Sequence, residues 1–294
     1  MNQKLLAVYG IKFNPFSPEL PTEALRLTSK VDSFCWRVEH SLVREGGFAL
    51  ISGDPGTGKS VVLRLLAERL ARVRELTVGA LTHPSSRLSD FYREMAELFS
   101  VPLHPHNRWG GFKILRQRFV THVDNLMMRP VLLIDEAQEL LPSVLAELRL
   151  LAATQFDSRT VLSVVFAGDA RLTDRLRQDE LLPLGSRIRM RLAMDYAGGE
   201  ELHACLTHLL DSAGNPALMT EALKTTLCDH AAGNYRTLTT MAAQLLMVAV
   251  ERSSPSSTRS STSRSLALIP ASRPVALGRG CEAADHTGRA TRAP

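Results

Sequence analysis

The chain has 294 residues, a formal net charge of +5, 45% hydrophobic residues and 5% aromatic residues. This length allows one large domain or two smaller ones with a buried core. No apolar run approaches the roughly 20 residues of a membrane helix, and the N-terminal apolar stretch is too short for a signal peptide. We therefore expect a cytoplasmic protein without a membrane anchor, in which the four widely spaced cysteines are free thiols.

The positive charge is concentrated at the end of the chain. Seven arginines and two acidic residues lie between Arg252 and Pro294, which accounts for the whole net charge. The high isoelectric point therefore does not indicate a basic folded domain, and contact with nucleic acid would depend on local patches or on this tail. Residues 253–294 are rich in Ser, Arg and Pro without periodicity, so we expect them to be disordered. They are either a functional basic arm or a frameshift-like remnant.

Strand and helix patterns divide the rest of the chain into three parts. Residues 1–45 read as an N-terminal lead-in that ends in a helix over 31–44. Strands are predicted over residues 47–52, 76–81, 130–134 and 160–167, with helices over 59–74, 88–99, 112–127 and 144–153 between them. This alternation predicts, for residues 46–197, an α/β fold: a parallel sheet with helices on both faces. Residues 198–252 contain three helical patterns, 200–212, 220–231 and 237–250, which predict a small helical lid domain.

A phosphate-binding loop (Walker A) follows the first predicted strand. The pattern G-x-x-x-x-G-K-[ST] is matched at every fixed position by Gly53, Asp54, Pro55, Gly56, Thr57, Gly58, Lys59 and Ser60, and Val61 continues into the helix. Glycines let several backbone N–H groups point at one anion, and the helix start adds positive partial charge. We expect ATP to bind here, with Lys59 on the β- and γ-phosphates and Ser60 on Mg²⁺. The alternative is a Gly-rich turn before a helix.

Two adjacent acids, Asp135 and Glu136, follow the apolar strand 131–134 directly. Ligands of parallel sheets bind at the carboxyl ends of the strands, beside the predicted phosphate loop. We predict that Asp135 binds Mg²⁺ and that Glu136 polarises the water that attacks the γ-phosphate. A nucleoside kinase needs no such glutamate, because its substrate supplies the attacking hydroxyl, so the pair favours ATP hydrolysis. The alternative is an acid pair at a helix start.

Three further polar residues are candidates for the same site. Asp169 ends the strand 160–167, where it either contacts the γ-phosphate or caps the next helix. Residues 186–191 alternate basic and apolar residues as an edge strand would, and we interpret Arg187 as entering a neighbouring subunit's site. A solvated strand face or a nucleic-acid contact is the alternative for Arg187. Arg236 precedes the last helix and either folds back onto the γ-phosphate or caps a helix end.

Two other groups of residues carry weaker signals. Lys113, Arg116 and Arg118 share a predicted helix and are candidate contacts for DNA phosphates, with a solvated helix face as the alternative. His104 and His106 flank a proline, but no further metal ligands lie at suitable spacing, so we predict a loop there.

The order of these motifs resembles the AAA+ ATPases over roughly residues 10–250. Within that family the chain is most similar to secretion-protein-A-type ATPases and to transposition-helper ATP-binding proteins of bacterial mobile elements. The resemblance is carried by the strings Tyr9-Gly10 to Asn14-Pro15-Phe16, Leu133-Ile134-Asp135-Glu136-Ala137-Gln138, Phe166-Ala167-Gly168, Arg187-Ile188 and Gly233-Asn234-Tyr235-Arg236.

The resemblance implies roles for individual residues and for the whole protein. Arg187 would be the arginine finger, Arg236 the lid sensor, and Asp169 would hold the first sensor position, where uncharged polar residues are usual. It further implies assembly on double-stranded DNA with ATP bound and presentation of target DNA to a transposase. An arginine finger that acts in trans requires a homo-oligomer, and the sequence shows no base-reading motif, so we expect non-specific contacts to DNA phosphates. An ATPase that acts on a protein partner without DNA, and a module that binds nucleotide without hydrolysing it, are the alternatives.

Overall fold

The computed structural model describes residues 2–81, 84, 87–102, 108–155 and 158–253. The strands are β1 (Gly47–Gly53), β2 (Val78–Leu81), β3 (Val131–Ile134), β4 (Ala153–Thr154), β5 (Arg159–Thr160), β6 (Ser163–Gly168) and β7 (Ile188–Met194). Five of them form one parallel sheet in the order β2-β3-β6-β1-β7, and β4 and β5 form a separate antiparallel hairpin. The prediction of a parallel α/β sheet is confirmed, and β7 is an edge strand.

Helices cover the sheet and form the C-terminal part of the described chain. They are α1 (Asn2–Tyr9), α2 (Ser29–Arg37), α3 (Val43–Glu45), α4 (Lys59–Ala71), α5 (Leu88–Leu98), α6 (Arg108–Leu126), α7 (Pro142–Ala152), α8 (Ala170–Arg175), α9 (Leu182–Gly185), α10 (Gly199–Ala213), α11 (Glu221–Ala231) and α12 (Tyr235–Ser253). A π-helical segment, Val38–Leu42, joins α2 to α3. Polar side chains fix several starts: the hydroxyl of Thr28, for example, accepts from the amide of Val31 at 3.4 Å.

Successive side chains of the central strands pack into two different cores, because a strand points alternate residues to opposite faces. From β1, Phe48 and Leu50 pack into one core with residues of α5, α6 and α7. Ala49 and Ile51 pack into the other core with residues of α2 and α4. The sheet is thus covered on both faces, which explains why its inner strands are continuous apolar runs.

The predicted strand 160–167 is divided in the structure. Thr160 belongs to the β4–β5 hairpin, and β6 begins only at Ser163. The break arises because the amide of Val161 donates to the carbonyl of Ala152, the end of α7, at 2.7 Å. The amide of Ser163 then donates to the carbonyl of Pro130 at 2.9 Å, which starts its alignment with the neighbouring strand.

A third core joins helices α10, α11 and α12 to the beginning of the chain. Tyr9, Ile11 and Phe16 are buried among the leucines of these helices. The amide of Lys12 donates to the carbonyl of Ala213 at 2.8 Å, so backbone hydrogen bonding also fixes this contact. Within the described ranges, no helix has both the length and the apolar character needed to cross a membrane.

The cysteines that the structure describes are free thiols. Cys35 and Cys228 are buried and Cys205 is half-buried. Burial raises the pKa of Cys35 and of Cys205 to about 11, so both thiols are protonated at neutral pH. Cys281 lies outside the described residues, as do the rest of the tail, residues 254–294, and the predicted loop with His104 and His106.

Candidate nucleotide-binding site

The sheet order brings three of the predicted motifs together at the carboxyl ends of the central strands. Strand β6 lies between β1, which leads into the phosphate loop, and β3, which leads into the acid pair. Ile51 is level with Ala167, and Ile134 is level with Phe166. The carboxyl ends of the three strands therefore lie side by side, and Asp135 and Asp169 follow directly from two of them.

The phosphate loop has the backbone that its glycines predict. Gly56 and Gly58 have φ of +86° and +100°, the left-handed region that glycine enters without strain. Neighbouring chain segments approach the loop too closely for side chains. A Cβ at Gly53 would lie 2.3 Å from the carbonyl oxygen of Met194, and one at Gly56 would lie 2.1 Å from Oδ1 of Asn234.

Lys59 opens helix α4 and is 6% exposed. Its Nζ donates to the carbonyls of Gly53 at 2.8 Å and Asp54 at 3.0 Å, so the ammonium lies over the loop. The hydroxyl of Ser60, in the first turn, belongs to an exposed residue. The first amides of a helix lack intrahelical acceptors, so they are available to an anion. These residues, with Asp135 at the end of β3 one strand further along the sheet, fit a nucleotide phosphate group accompanied by Mg²⁺.

The acid pair occupies a tight turn after β3. Glu136 has a left-handed backbone with φ of 48°, and its amide donates to Oδ1 of Asp135 at 2.9 Å. The carboxylate of Glu136 accepts a hydrogen bond from Nε2 of Gln138. Oε1 of Gln138 accepts from the amide of Asp169 at 3.3 Å. Sequence reasoning did not single out Gln138, because nothing in the spacing shows that its two ends reach different strands.

Asp169 caps helix α8, as the alternative interpretation of the sequence expected. Its Oδ1 accepts from the amide of Arg171 at 2.9 Å, and its Oδ2 accepts from Nε of Arg171 at 2.8 Å. Burial opposes ionisation of this carboxyl, but the hydrogen bonds and charge of Arg171 outweigh burial and lower its pKa. The arginine therefore offsets an acid that would otherwise repel a nearby phosphate.

Arg187 lies at the amino end of β7, whereas the phosphate loop lies at the carboxyl ends of the strands. It immediately precedes β7, in which Ile188 is level with Phe48 and Met194 is level with Gly53. Five residues of β1 at about 3.3 Å each separate these levels, a distance of about 17 Å. Arg187 is half-buried, and its guanidinium donates to the carbonyl of Pro183. The structure thus does not bring Arg187 to this chain's own phosphate loop.

The loop before α12 rests on the phosphate loop. Nδ2 of Asn234 donates to the carbonyl of Pro55 at 3.1 Å, and the amide of Tyr235 donates to the carbonyl of Gly56 at 3.1 Å. Arg236 follows directly and is exposed. Asn234 also accepts from the amide of Thr237 at 3.1 Å, a helix-capping contact that an Asn before a helix could have signalled.

Helix α6 presents a cationic face beside an exposed tryptophan. Trp109 is 66% exposed, and Nζ of Lys113 lies 5.1 Å from the centroid of its ring. Arg118 is exposed, whereas Arg116 packs over Phe112 and donates to a backbone carbonyl. These residues line an open groove of about 900 Å³. Lys113 and Arg118 therefore remain candidates for phosphate contacts, and Arg116 has a structural role.

A phosphate loop and an acid pair at the carboxyl ends of two strands that flank a third strand of a parallel sheet define a P-loop nucleoside triphosphatase fold. Residues 43–176 match the family model described as "AAA domain". The chain therefore carries an AAA+ domain, and it resembles the secretion-protein-A-type ATPases. It is 31% identical over 222 residues to General secretion pathway protein A of Aeromonas hydrophila. This match covers 74% of the chain and 40% of that relative's length.

Solved structures show the same fold at low sequence identity. The Cdc6p protein of Pyrobaculum aerophilum matches with a TM-score of 0.64 and 17% identity, over 81% of this chain and 66% of that one. The ORC1 protein of Aeropyrum pernix, solved in complex with DNA, matches with a TM-score of 0.54 and 16% identity, over 81% and 64%. At these identities the likeness concerns the fold alone.

Proposed function

We propose that the protein binds and hydrolyses ATP at this site. The observation that supports the proposal is that the phosphate loop, the acid pair and Asp169 lie together at the carboxyl ends of the central strands. Lys59 and the first amides of α4 would bind the phosphates, and Ser60 and Asp135 would hold Mg²⁺, which neutralises phosphate charge when bound. Glu136 would accept a proton from the attacking water.

Arg187 and Arg236 would complete the site from different directions. Arg236 lies in the first turn of α12 beside the loop and would report the nucleotide state to the helices α10 to α12. Because Arg187 lies at the amino ends of the strands, away from this chain's own phosphate loop, it would act on the nucleotide of a neighbouring subunit. We therefore propose a homo-oligomer in which each site is completed by an arginine of the next subunit.

We further propose that the ATPase is a DNA-binding helper that presents target DNA to a transposase. The cationic face of α6 supports DNA binding: within the described stretch 109–121, Lys113 and Arg118 are exposed and no residue is acidic. Contacts of this kind are made to phosphates and are independent of sequence. That ORC1, a protein of the same fold, has been solved in complex with DNA agrees with this proposal.

The test is steady-state ATP hydrolysis by the full chain with and without double-stranded DNA at low salt. We expect DNA to stimulate hydrolysis, and added salt to remove the stimulation. Replacing Lys113 and Arg118 by alanine should weaken DNA binding and reduce the slope of log affinity against log salt by about 2. Arg177→Ala is the control, since Arg177 is an exposed arginine outside α6 that forms an ion pair with Asp174. Unchanged DNA binding by the double variant would contradict the role of this face.

A second candidate function is an ATPase that acts on a protein partner in secretion or assembly. The 31% identity to General secretion pathway protein A favours it. Hydrolysis that is indifferent to DNA at every salt concentration would support this function over the first.

A further inference from the structure

A buried side-chain amide joins the two strand ends that carry Glu136 and Asp169. Gln138 is 7% exposed and lies in a short 3₁₀ turn, Ala137–Glu139, after β3. Its Nε2 donates to the carboxylate of Glu136, and its Oε1 accepts from the amide of Asp169 at 3.3 Å. Both functional ends of the amide are therefore used, one on each strand end.

The glutamine is itself held by its surroundings. Arg175 donates through Nη1 to the carbonyl of Gln138 at 2.6 Å and through Nη2 to the carbonyl of Leu140 at 2.8 Å. A Cβ at position 168 would lie 2.9 Å from Oε1 of Gln138, so Gly168 leaves the room that the amide occupies. The backbone and the side chain of Gln138 are thus both fixed, and it can hold a neighbour in one orientation.

We propose that Gln138 is a positioning residue for Glu136. The inference rests on the proposed function, in which Glu136 accepts a proton from the attacking water. Glu136 is exposed, so without a partner its carboxylate samples several rotamers. The bond from Gln138 selects one of them, and proton transfer depends on such alignment. Because the same amide binds Asp169, a shift of the end of β6 changes the orientation of Glu136.

Two variants separate the two hydrogen bonds of the amide. Gln138→Met keeps the length of the side chain and loses both bonds. Gln138→Glu keeps an oxygen that accepts from the amide of Asp169 but replaces the donor that faces Glu136 by a carboxylate oxygen. In steady-state ATP hydrolysis by the full chain, we expect both variants to lower kcat by about 10- to 100-fold, as for a lost hydrogen bond to a charged group. KM and equilibrium ATP affinity should stay within about twofold of the unaltered protein.

A double variant distinguishes positioning from general damage to the fold. Residues that act as a unit have non-additive effects, so Gln138→Met should cause little further loss when Glu136 is already glutamine. A multiplied loss in the double variant would overturn the inference. Loss of ATP affinity in both Gln138→Met and Gln138→Glu would also overturn the inference, because such a loss would show that Gln138 has a structural role. If Glu136→Gln lowers kcat and Gln138→Met does not, the inference fails and the proposed function stands. If the unaltered chain does not hydrolyse ATP, or Glu136→Gln hydrolyses it normally, the proposed function itself fails.

Discussion

Replacing Gly56 by alanine tests the contact between the phosphate loop and the loop before α12. Gly56 has φ of +86°, and a Cβ there would lie 2.1 Å from Oδ1 of Asn234 and 2.7 Å from its Cγ and Nδ2. All three atoms belong to one side chain beyond its own Cβ. Alanine at position 56 must therefore adopt a strained backbone and push the Asn234 side chain away.

Both costs can be worked out from the structure. Alanine in the left-handed region costs about 1–2 kcal/mol. The displaced Asn234 loses its bonds to Pro55 and to Thr237, both 3.1 Å long. Each such bond contributes about 0.5–1.5 kcal/mol. We expect Gly56→Ala to lower the free energy of unfolding by about 2–5 kcal/mol, and Asn234→Ala to lower it by about 1–3 kcal/mol.

The double variant gives the decisive comparison. Without the Asn234 side chain the clash disappears, so we expect the double variant to be about as stable as Gly56→Ala alone. Urea unfolding followed by circular dichroism measures all three values. Gly10→Ala is the matched control, because Gly10 has φ of +62° and nothing within 4 Å of an added Cβ, and it should cost only about 1–2 kcal/mol. Additive costs in the double variant would refute a direct contact between Gly56 and Asn234.

Three other predictions concern the phosphate loop, a buried acid and the helix cap. Lys59→Ala should abolish equilibrium binding of ATP, and retained tight binding would contradict the phosphate-loop assignment. Glu147, which is 3% exposed, accepts from the hydroxyl of Tyr92 and forms an ion pair with Arg108, so Glu147→Ala removes both contacts and should cost about 1–3 kcal/mol in urea unfolding. Tyr92→Phe should lower the free energy of unfolding less in the Glu147→Ala background than it does in the unaltered chain. The pKa of Asp169 is lowered from its ordinary value of 3.8. The negative charge of its carboxylate, which stabilises the fold, is therefore present above pH 3.8 and is lost as the pH falls through the pKa of the folded state. The stability difference between the unaltered chain and Asp169→Asn should therefore shrink below about pH 4, and a constant difference would argue against the ion pair.

The sequence predicted the parts of the fold that are encoded locally. The phosphate loop and the parallel sheet follow from short motifs and from apolar runs, and both are present. The division of the strand 160–167 was not predicted. Val161 and Leu162 are fully buried without belonging to β6, and an apolar run reports burial rather than strand pairing. An apolar pattern alone therefore cannot locate the start of β6 at Ser163.

Contacts between distant segments were the main omission at the site. The bond from Gln138 to Asp169 spans 31 residues, and the bond from Asn234 to Pro55 spans 179. Neither contact produces a periodic pattern in the sequence, because the first depends on the order of the strands and the second on how the last helices pack. Both residues stood within strings that carry the family resemblance, but only the fold shows what their side-chain amides bind.

The carbonyls of the phosphate loop are held by two different partners. Nζ of Lys59 binds those of Gly53 and Asp54, whereas the loop before α12 binds those of Pro55 and Gly56. A phosphate that attracts the Lys59 ammonium competes with the first pair of contacts only. The second pair keeps its donors, and the carbonyl of Asp54 still accepts from the hydroxyl of Thr57 at 2.8 Å, so the loop stays ordered when the ammonium moves. Loss of Lys59 therefore removes a charge that the nucleotide needs. Loss of the contacts to α12 instead frees the loop before any nucleotide arrives, and the affinity falls because ordering the loop then costs binding free energy.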